Sequence, residues 1–390
     1  MHEAADGPLA RVRVPGGEIS AAGLRALAAD LGDGCVELTS RANVQVRAVR
    51  DPVAFADRIA AAGLLPSATH ERVRNIVASP LTGLGPRGVL GVRPLVTALD
   101  RELISCTPLA GLPGRFLFAL DDGTGDVAAL DADVTAVPLA GGVAVLLGGT
   151  DQGLRCSAGS AVPLMLAAAE SFLAVRAEDG SHAWRLSELP DGPARTAARL
   201  PEAARSGTLR DEPVGAGPAL QELVGVIPLR DGTAAVGAAV PLGRLSAAQV
   251  EVLARLAEEG AQVRLTPWRG VVVLGLTGDR IGWAGARLVE AGLVTDPRSA
   301  WIGVSACAGR PGCAKSLSDV QGDARSSVPV IGGGVAVHWA GCERRCGRPR
   351  GEVVDVVAVE GGYRVDRGGV SRTHRGLHAV VEDVRVRRMG

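Results

Sequence analysis

The stretch Val14–Val46, VPGGEISAAGLRALAADLGDGCVELTSRANVQV, decides the architecture because the chain contains it twice. Val240–Val273 reads VPLGRLSAAQVEVLARLAEEGAQVRLTPWRGVVV and matches it element by element. Each copy opens with a Val-rich strand and a turn of Pro and Gly, then sets a serine, Ser20 or Ser246, where a helix N-cap belongs. Leu24, Leu27 and Leu31 in one copy, and Val250, Leu253 and Leu256 in the other, recur at helical spacing and predict one apolar helix face. Gly34 and Gly260 are the expected stops. Alternation at Val36, Leu38, Val44 and Val46, and at Val263, Leu265, Val271 and Val273, then predicts half-buried strands. A fainter match lays Ser105–Pro113 over Gly341–Pro349, so that Cys106 faces Cys342 and Ala110 stands where Cys346 stands. On that alignment the first copy carries a degenerate metal half-site. Strands and helices alternate in both halves, which predicts a mixed α/β (α+β) fold with its copies packed about an approximate two-fold axis.

At 390 residues the chain exceeds the size of a single growing core. The expected units are half-domains at 1–65 and 222–295, larger domains at 66–180 and 296–390, and a surface connection at 181–221, which is rich in Pro, Ala, Arg and Gly. Hydrophobic residues at 47% and charged residues at 22% fit an ordinary globular chain. Lys+Arg and Asp+Glu both total 42, which argues against a nucleic-acid or anionic-membrane partner, so any anion site must be local. Lys315 is the only lysine, a sign of base-composition bias. The opening residues lack a basic segment followed by an apolar one, and no run approaches the roughly 18 apolar residues of a membrane span. The expectation is a cytoplasmic protein.

Seven cysteines without an export signal point to metal binding, catalysis or burial rather than disulfides. Cys307-Ala-Gly-Arg-Pro-Gly-Cys313 and Cys342-Glu-Arg-Arg-Cys346 form a C-x5-C followed by a C-x3-C. A five-residue gap suits zinc knuckles poorly, whereas a 4Fe-4S cluster spreads its ligands wider. Gly309, Gly312, Gly341 and Gly347 let backbone N–H groups approach such a cluster. The competing reading is four buried structural cysteines. Cys35 and Cys156 read as apolar fillers.

This cysteine set resembles the cluster motif of siroheme-dependent sulfite and nitrite reductases and their relatives. Arg11-Val-Arg13-Val-Pro-Gly-Gly17, Leu38–Gln45 and Val73–Gly83 resemble the family's tetrapyrrole and anion motifs in the same order, so the likeness spans nearly the whole chain. It implies duplicated nitrite/sulfite reductase-like halves with ferredoxin-like half-domains and a tetrapyrrole between them. It also implies catalytic roles for Arg13, Arg74 and Arg115, and macrocycle contacts by Arg41, Asn43, Gln45 and Asn75. Cluster ligation falls on Cys307, Cys313, Cys342 and Cys346, the last of them between cluster and tetrapyrrole. Two departures stand out. The reductases carry two lysines after a Leu-Pro, where this chain has Leu112-Pro-Gly-Arg115-Phe-Leu117, and they tend to have arginine where Glu37 stands. The chain more closely resembles the precorrin-3B synthases, in which the tetrapyrrole is substrate. That likeness implies oxidation of precorrin-3A with dioxygen ahead of ring contraction, using a 4Fe-4S cluster, a mononuclear non-heme iron and an external electron donor such as a reductase or ferredoxin. The alternatives are a siroheme-dependent sulfite or nitrite reductase and a non-catalytic electron carrier or tetrapyrrole-binding protein.

Weaker signals remain. Gly83-Leu-Gly85-Pro-Arg-Gly88 matches G-x-G-x-x-G without the strand and helix a dinucleotide site needs, and reads as a turn or, by the resemblance, as a loop beside the macrocycle. Asp121–Asp126 reads as a hairpin turn rather than a calcium loop. His374 and His378, four apart, are a candidate iron pair although Gly376 lies between them, and His338 is another candidate. Arg344, Arg345, Arg348 and Arg350 read either as a solvated turn or as a carboxylate or donor-protein contact.

Overall fold

A computed structural model describes residues 1–29, 31–205 and 223–389. The helix caps form as the sequence requires. Ser20 accepts from the Gly23 N–H at the start of Ala21–Ala28, and Ser246 and Gln249 make a reciprocal capping box on Ala247–Glu258. Gly260 follows the second helix after the C-cap residue Glu259, whereas the first stops at Ala28, well ahead of Gly34.

Two five-stranded sheets share one order. The first runs His2–Ala4, Gly7–Val12, Val44–Val46, Cys35–Leu38 and Arg244–Ser246. The second runs Gly225–Pro228, Ala234–Ala239, Gly270–Leu276, Gln262–Leu265 and Glu18–Ile19. The last strand of each belongs to the other copy, Arg244–Ser246 pairing with Cys35–Leu38 and Glu18–Ile19 with Gln262–Leu265. The halves therefore exchange edges and share a core in which Leu24, Leu27, Val36 and Val44 lie with Leu253, Val263 and Val271. Each such side chain contributes roughly 1.5–3 kcal/mol on burial, so the shared core stabilises both halves together. The exchange turns on Gly17, at φ 75°, where a Cβ would sit 2.2 Å from the Leu265 carbonyl.

The other two sheets also match each other. Ile76–Ala78, Phe118–Leu120 and Val134–Leu139 are parallel neighbours, followed by antiparallel Gly142–Leu147 and Thr150–Cys156. Val304–Ala306, Ala336–Ala340, Val353–Val359, Gly362–Arg367 and Val370–His374 repeat that pattern. Helices Arg93–Ser105 and Val320–Ile331 bridge the first two strands of each.

This register corrects three readings. Cys106 lies between helix and second strand, but Cys342 follows the second strand, so the two are not counterparts. The counterpart of Cys307 is Ser79: the Asp122 N–H reaches Ser79 Oγ at 3.0 Å just as the Gly341 N–H reaches Cys307 Sγ at 3.2 Å. Cys106 instead points its thiol at Glu170, 3.1 Å away. Asp121–Asp126 is not a hairpin turn, because the strands it connects are parallel; it stands where the second cysteine loop stands in the other copy, its three aspartates buried together. Finally, residues 181–205 are not a surface connection. Ala183, Leu186, Leu189, Ala197 and Leu200 pack into the first large domain's core, while 206–221 of the expected linker lie outside the described residues. Against the expectation that no run approaches a membrane span, the segment Ala158–Glu178 is long and apolar enough to cross one, but Met165, Ala168, Phe172 and Val175 of its helix are buried in that same core.

Candidate functional site: an arginine-lined cavity with a cysteine wall

Strand alternation builds the floor. Ala10, Val12, Val36, Leu38, Val44 and Val46 enter the core, so Arg11, Arg13, Glu37, Asn43, Gln45 and Arg47 face the other way. They line a cavity of about 1680 Å³. Arg11, Gln45, Glu37 and Arg244 stand in one cross-strand row. Arg11 Nε donates to Gln45 at 2.9 Å, and Gln45 Nε2 donates to Glu37 at 3.3 Å. On the duplicate sheet the equivalent face is covered by protein. Ala235, Val272 and Leu274 are covered there by Leu81 and Leu84, and Arg264 donates to the Pro80 carbonyl at 2.7 Å. The glycine-rich loop thus starts by plugging the second face, and it is absent from the lining of the cavity.

Arg41 and Arg115 stand on the same wall as Arg13. Burial and neighbouring Arg41 and Arg11 lower Arg13 to about 10, and burial with Arg185 and Arg115 does the same to Arg41. Both stay cationic at neutral pH, and such crowding favours an anionic ligand. Glu37 is pushed up by burial, against the pull of Arg47 and Arg244. Arg115 lies at the cavity, while Leu117 is buried in a small core with Val77 and Ala119.

Arg74 and Asn75 do not line the cavity; they sit behind its wall. Arg74 makes a forked pair with Asp100, at 2.7 and 2.8 Å, and donates to the Leu64 carbonyl. Asn75 is fully buried and donates to the Arg72, Gly114 and Phe116 carbonyls while accepting from Asn43. Asn43 in turn accepts from the Val14 N–H. These side chains fix the loops that carry Arg13 and Arg115.

All four cysteines of the two motifs line this cavity as free thiols, Cys346 being the exposed one. Burial pushes the Cys307 thiol up, the Gly341 and Gly309 N–H groups pull it down, and nearby Cys346 and Cys313 raise it again. A soft all-thiol donor set with backbone N–H groups on one sulfur fits an iron-sulfur cluster held by Cys307, Cys313, Cys342 and Cys346. The loop bearing the second pair is clamped. Arg345 reaches Asp355 and Asp366 at 3.1 and 2.6 Å, Arg348 reaches Asp355 at 2.9 Å, and Arg269 holds the Gly347 carbonyl at 2.9 Å. Arg350 pairs with Asp131. Of Arg344, Arg345, Arg348 and Arg350, expected either in a solvated turn or at a carboxylate or donor-protein contact, Arg344 lines the cavity and the other three pair with aspartates.

His374 and His378 do not share a helix: His374 ends a strand and bonds Asp383 at 2.9 Å, and His378 lies on helix Leu377–Met389. The sequence reading missed Arg47, Arg244 and Arg269 as lining residues. Two-residue spacing from Gln45 marks Arg47, but Arg244 and Arg269 come from the exchanged copy and carry no local signal.

The described residues form two pairs of repeated sheets, and in one pair the edge strands are exchanged, one of those sheets opening its outer face to the cavity and the other having it covered: an α/β fold with duplicated ferredoxin-like halves. Residues 2–53 and 227–291 match the nitrite/sulfite reductase ferredoxin-like half domain. The chain is similar to the precorrin-3B synthase of Sinorhizobium sp, 28% identical over 92% of this chain and 79% of that protein. It is similar to the same degree to the ferredoxin–nitrite reductase of Synechococcus elongatus, 26% identical over 92% of this chain and 77% of that one. Its fold matches that of the Mycobacterium tuberculosis NirA protein with a TM-score of 0.76 at 23% identity, covering 97% of this chain and 80% of that one.

Proposed function

We propose that the chain is an iron-sulfur oxidoreductase acting on a tetrapyrrole held in the cavity, a precorrin-3B synthase-like monooxygenase that oxidises precorrin-3A with dioxygen. The observation that carries this reading is one cavity, about 1680 Å³, lined by all four cysteines of the two motifs together with Arg11, Arg13, Arg41 and Arg115. Its volume exceeds the roughly 300–1,000 Å³ of ordinary small-ligand pockets and suits a macrocycle with many carboxylates. The guanidinium forks bind those carboxylates and fix the ring's orientation. The chemistry a bound cluster supplies is one-electron transfer from an external donor, such as a ferredoxin or its reductase. Asp6, paired with Arg47 at 2.7 Å, ties the N-terminal hairpin whose residues Met1–Ala5 form part of the cavity lining. Arg115 with Leu117 in place of two lysines, and Glu37 in an otherwise basic floor, favour a tetrapyrrole substrate over a small oxyanion.

The deciding experiment incubates anaerobically reconstituted protein with precorrin-3A, a reductant and labelled dioxygen. A product heavier by one labelled oxygen, the second oxygen leaving as water, supports the reading. Tightly held siroheme with reduction of sulfite or nitrite makes the chain a reductase instead. A reducible cluster with no turnover makes it a carrier.

A further inference from the structure

The strands beneath the cysteine loop carry a polar row that their duplicates lack. Ser305, His338 and Asp355 are cross-strand neighbours, all buried, His338 completely. At the same register the first copy has Val77, Ala119 and Thr135. Two copies of one fold thus differ in whether a histidine lies under the second-strand loop, and the histidine occurs under the copy that bears the cysteines.

Each neighbour of His338 has a task. Asp355 takes the Arg345 and Arg348 guanidiniums of the cysteine loop. Ser305 Oγ lies 2.9 Å from His338 Nδ1 and 3.2 Å from the Val337 carbonyl. The single hydroxyl proton serves one of these two contacts; turned toward Nδ1 it leaves the imidazole proton on Nε2, the tautomer in which the ring can donate toward the cysteine loop. That Nε2 has no hydrogen-bond partner among the described residues, and the Cys346 backbone is the neighbour that favours its proton. A buried unsatisfied N–H costs roughly 1–3 kcal/mol, a cost the alanine of the other copy does not incur.

We propose that His338 is a positioning residue for the cluster, its Nε2–H reserved for the Cys346 end of the ligand loop, where it fixes that loop's backbone and raises the cluster's reduction midpoint. Hydrogen bonding around cluster ligands is one of the levers that set such potentials. The inference rests on the cluster reading above.

The test is a redox titration of full-length, anaerobically reconstituted protein, followed by electron paramagnetic resonance, on wild type, His338→Leu, His338→Gln and Ser305→Ala. His338→Leu should move the midpoint to more negative values and alter the reduced-state spectrum. His338→Gln, which keeps an N–H of similar reach, should recover part of the shift, and Ser305→Ala, which releases the tautomer, should show a smaller shift of the same sign. A folded His338→Leu that loses iron while His338→Gln keeps it also supports the role. If His338→Leu cannot fold, the signs in the other two variants decide. Wild-type midpoint and spectrum in every variant that retains iron overturn the proposal. Wild-type protein that takes up no cluster overturns the underlying reading instead.

Discussion

Arg74→Ala separates a ligand-binding arginine from one that holds the wall. Its Nε and Nη2 meet both oxygens of Asp100, and its Nη1 meets the Leu64 carbonyl at 3.1 Å. The Arg74 side chain is 4% exposed and that of Asp100 21%. Removing the guanidinium strands a largely buried carboxylate, a loss of about 3–5 kcal/mol for such pairs. It also leaves a carbonyl unpartnered, though the two effects overlap and do not simply add. Urea unfolding of the apo protein should therefore show Arg74→Ala destabilised by about 3–5 kcal/mol. The double variant Arg74→Met/Asp100→Leu, which removes both charges and fills the space, should recover much of that loss. Tetrapyrrole binding by the fraction that stays folded, followed by absorbance, should fall far less than for Arg41→Ala. An Arg74→Ala protein with unchanged unfolding but abolished tetrapyrrole binding would refute the reasoning and return Arg74 to the ligand.

Arg41→Ala should weaken a polycarboxylate tetrapyrrole about 10- to 100-fold, the value of one charged hydrogen-bonded contact, with iron content unchanged; loss of iron would show that the wall and the cysteine site are not separable. Asp126, buried beside Asp121 and Asp122, is raised to about 7, so the folded state keeps a proton that the unfolded chain releases from about pH 4 upward. Stability should fall by up to about 4 kcal/mol as pH climbs from 4 through 7 and stay low above, and Asp126→Asn should flatten that slope; equal slopes in both proteins count against the assignment. Glu37 is raised by burial, so it ionises above the usual carboxylate range and then repels a carboxylate ligand. Tetrapyrrole affinity should decline as pH rises through that titration in wild type and stay level in Glu37→Gln, as read by binding titrations across pH.

The duplication was legible because capping serines and core periodicity repeat together. Strand exchange was not, since Glu18–Ile19 and Arg244–Ser246 are too short to show alternation. Matching Cys106 to Cys342 followed residue identity, whereas strand order pairs Ser79 with Cys307, a correspondence visible only in register. Leu186, Leu189 and Ala197 sit in a Pro- and Arg-rich stretch, so their burial was hidden by composition. Cysteine spacing named residues that do share one cavity. Motif likeness did not distinguish Arg13 and Arg41, on the wall, from Arg74, behind it, because that difference depends on Asp100 across the packing of a helix.

The most direct measurement is metal and sulfide analysis of the anaerobically purified chain, with electron paramagnetic resonance of wild type and of Cys307→Ser and Cys346→Ser. Four irons and four sulfides per wild-type chain, with loss or change of the signal in both variants, is the expected result. Stoichiometric zinc, or thiols that all react freely with no iron bound, would contradict the account.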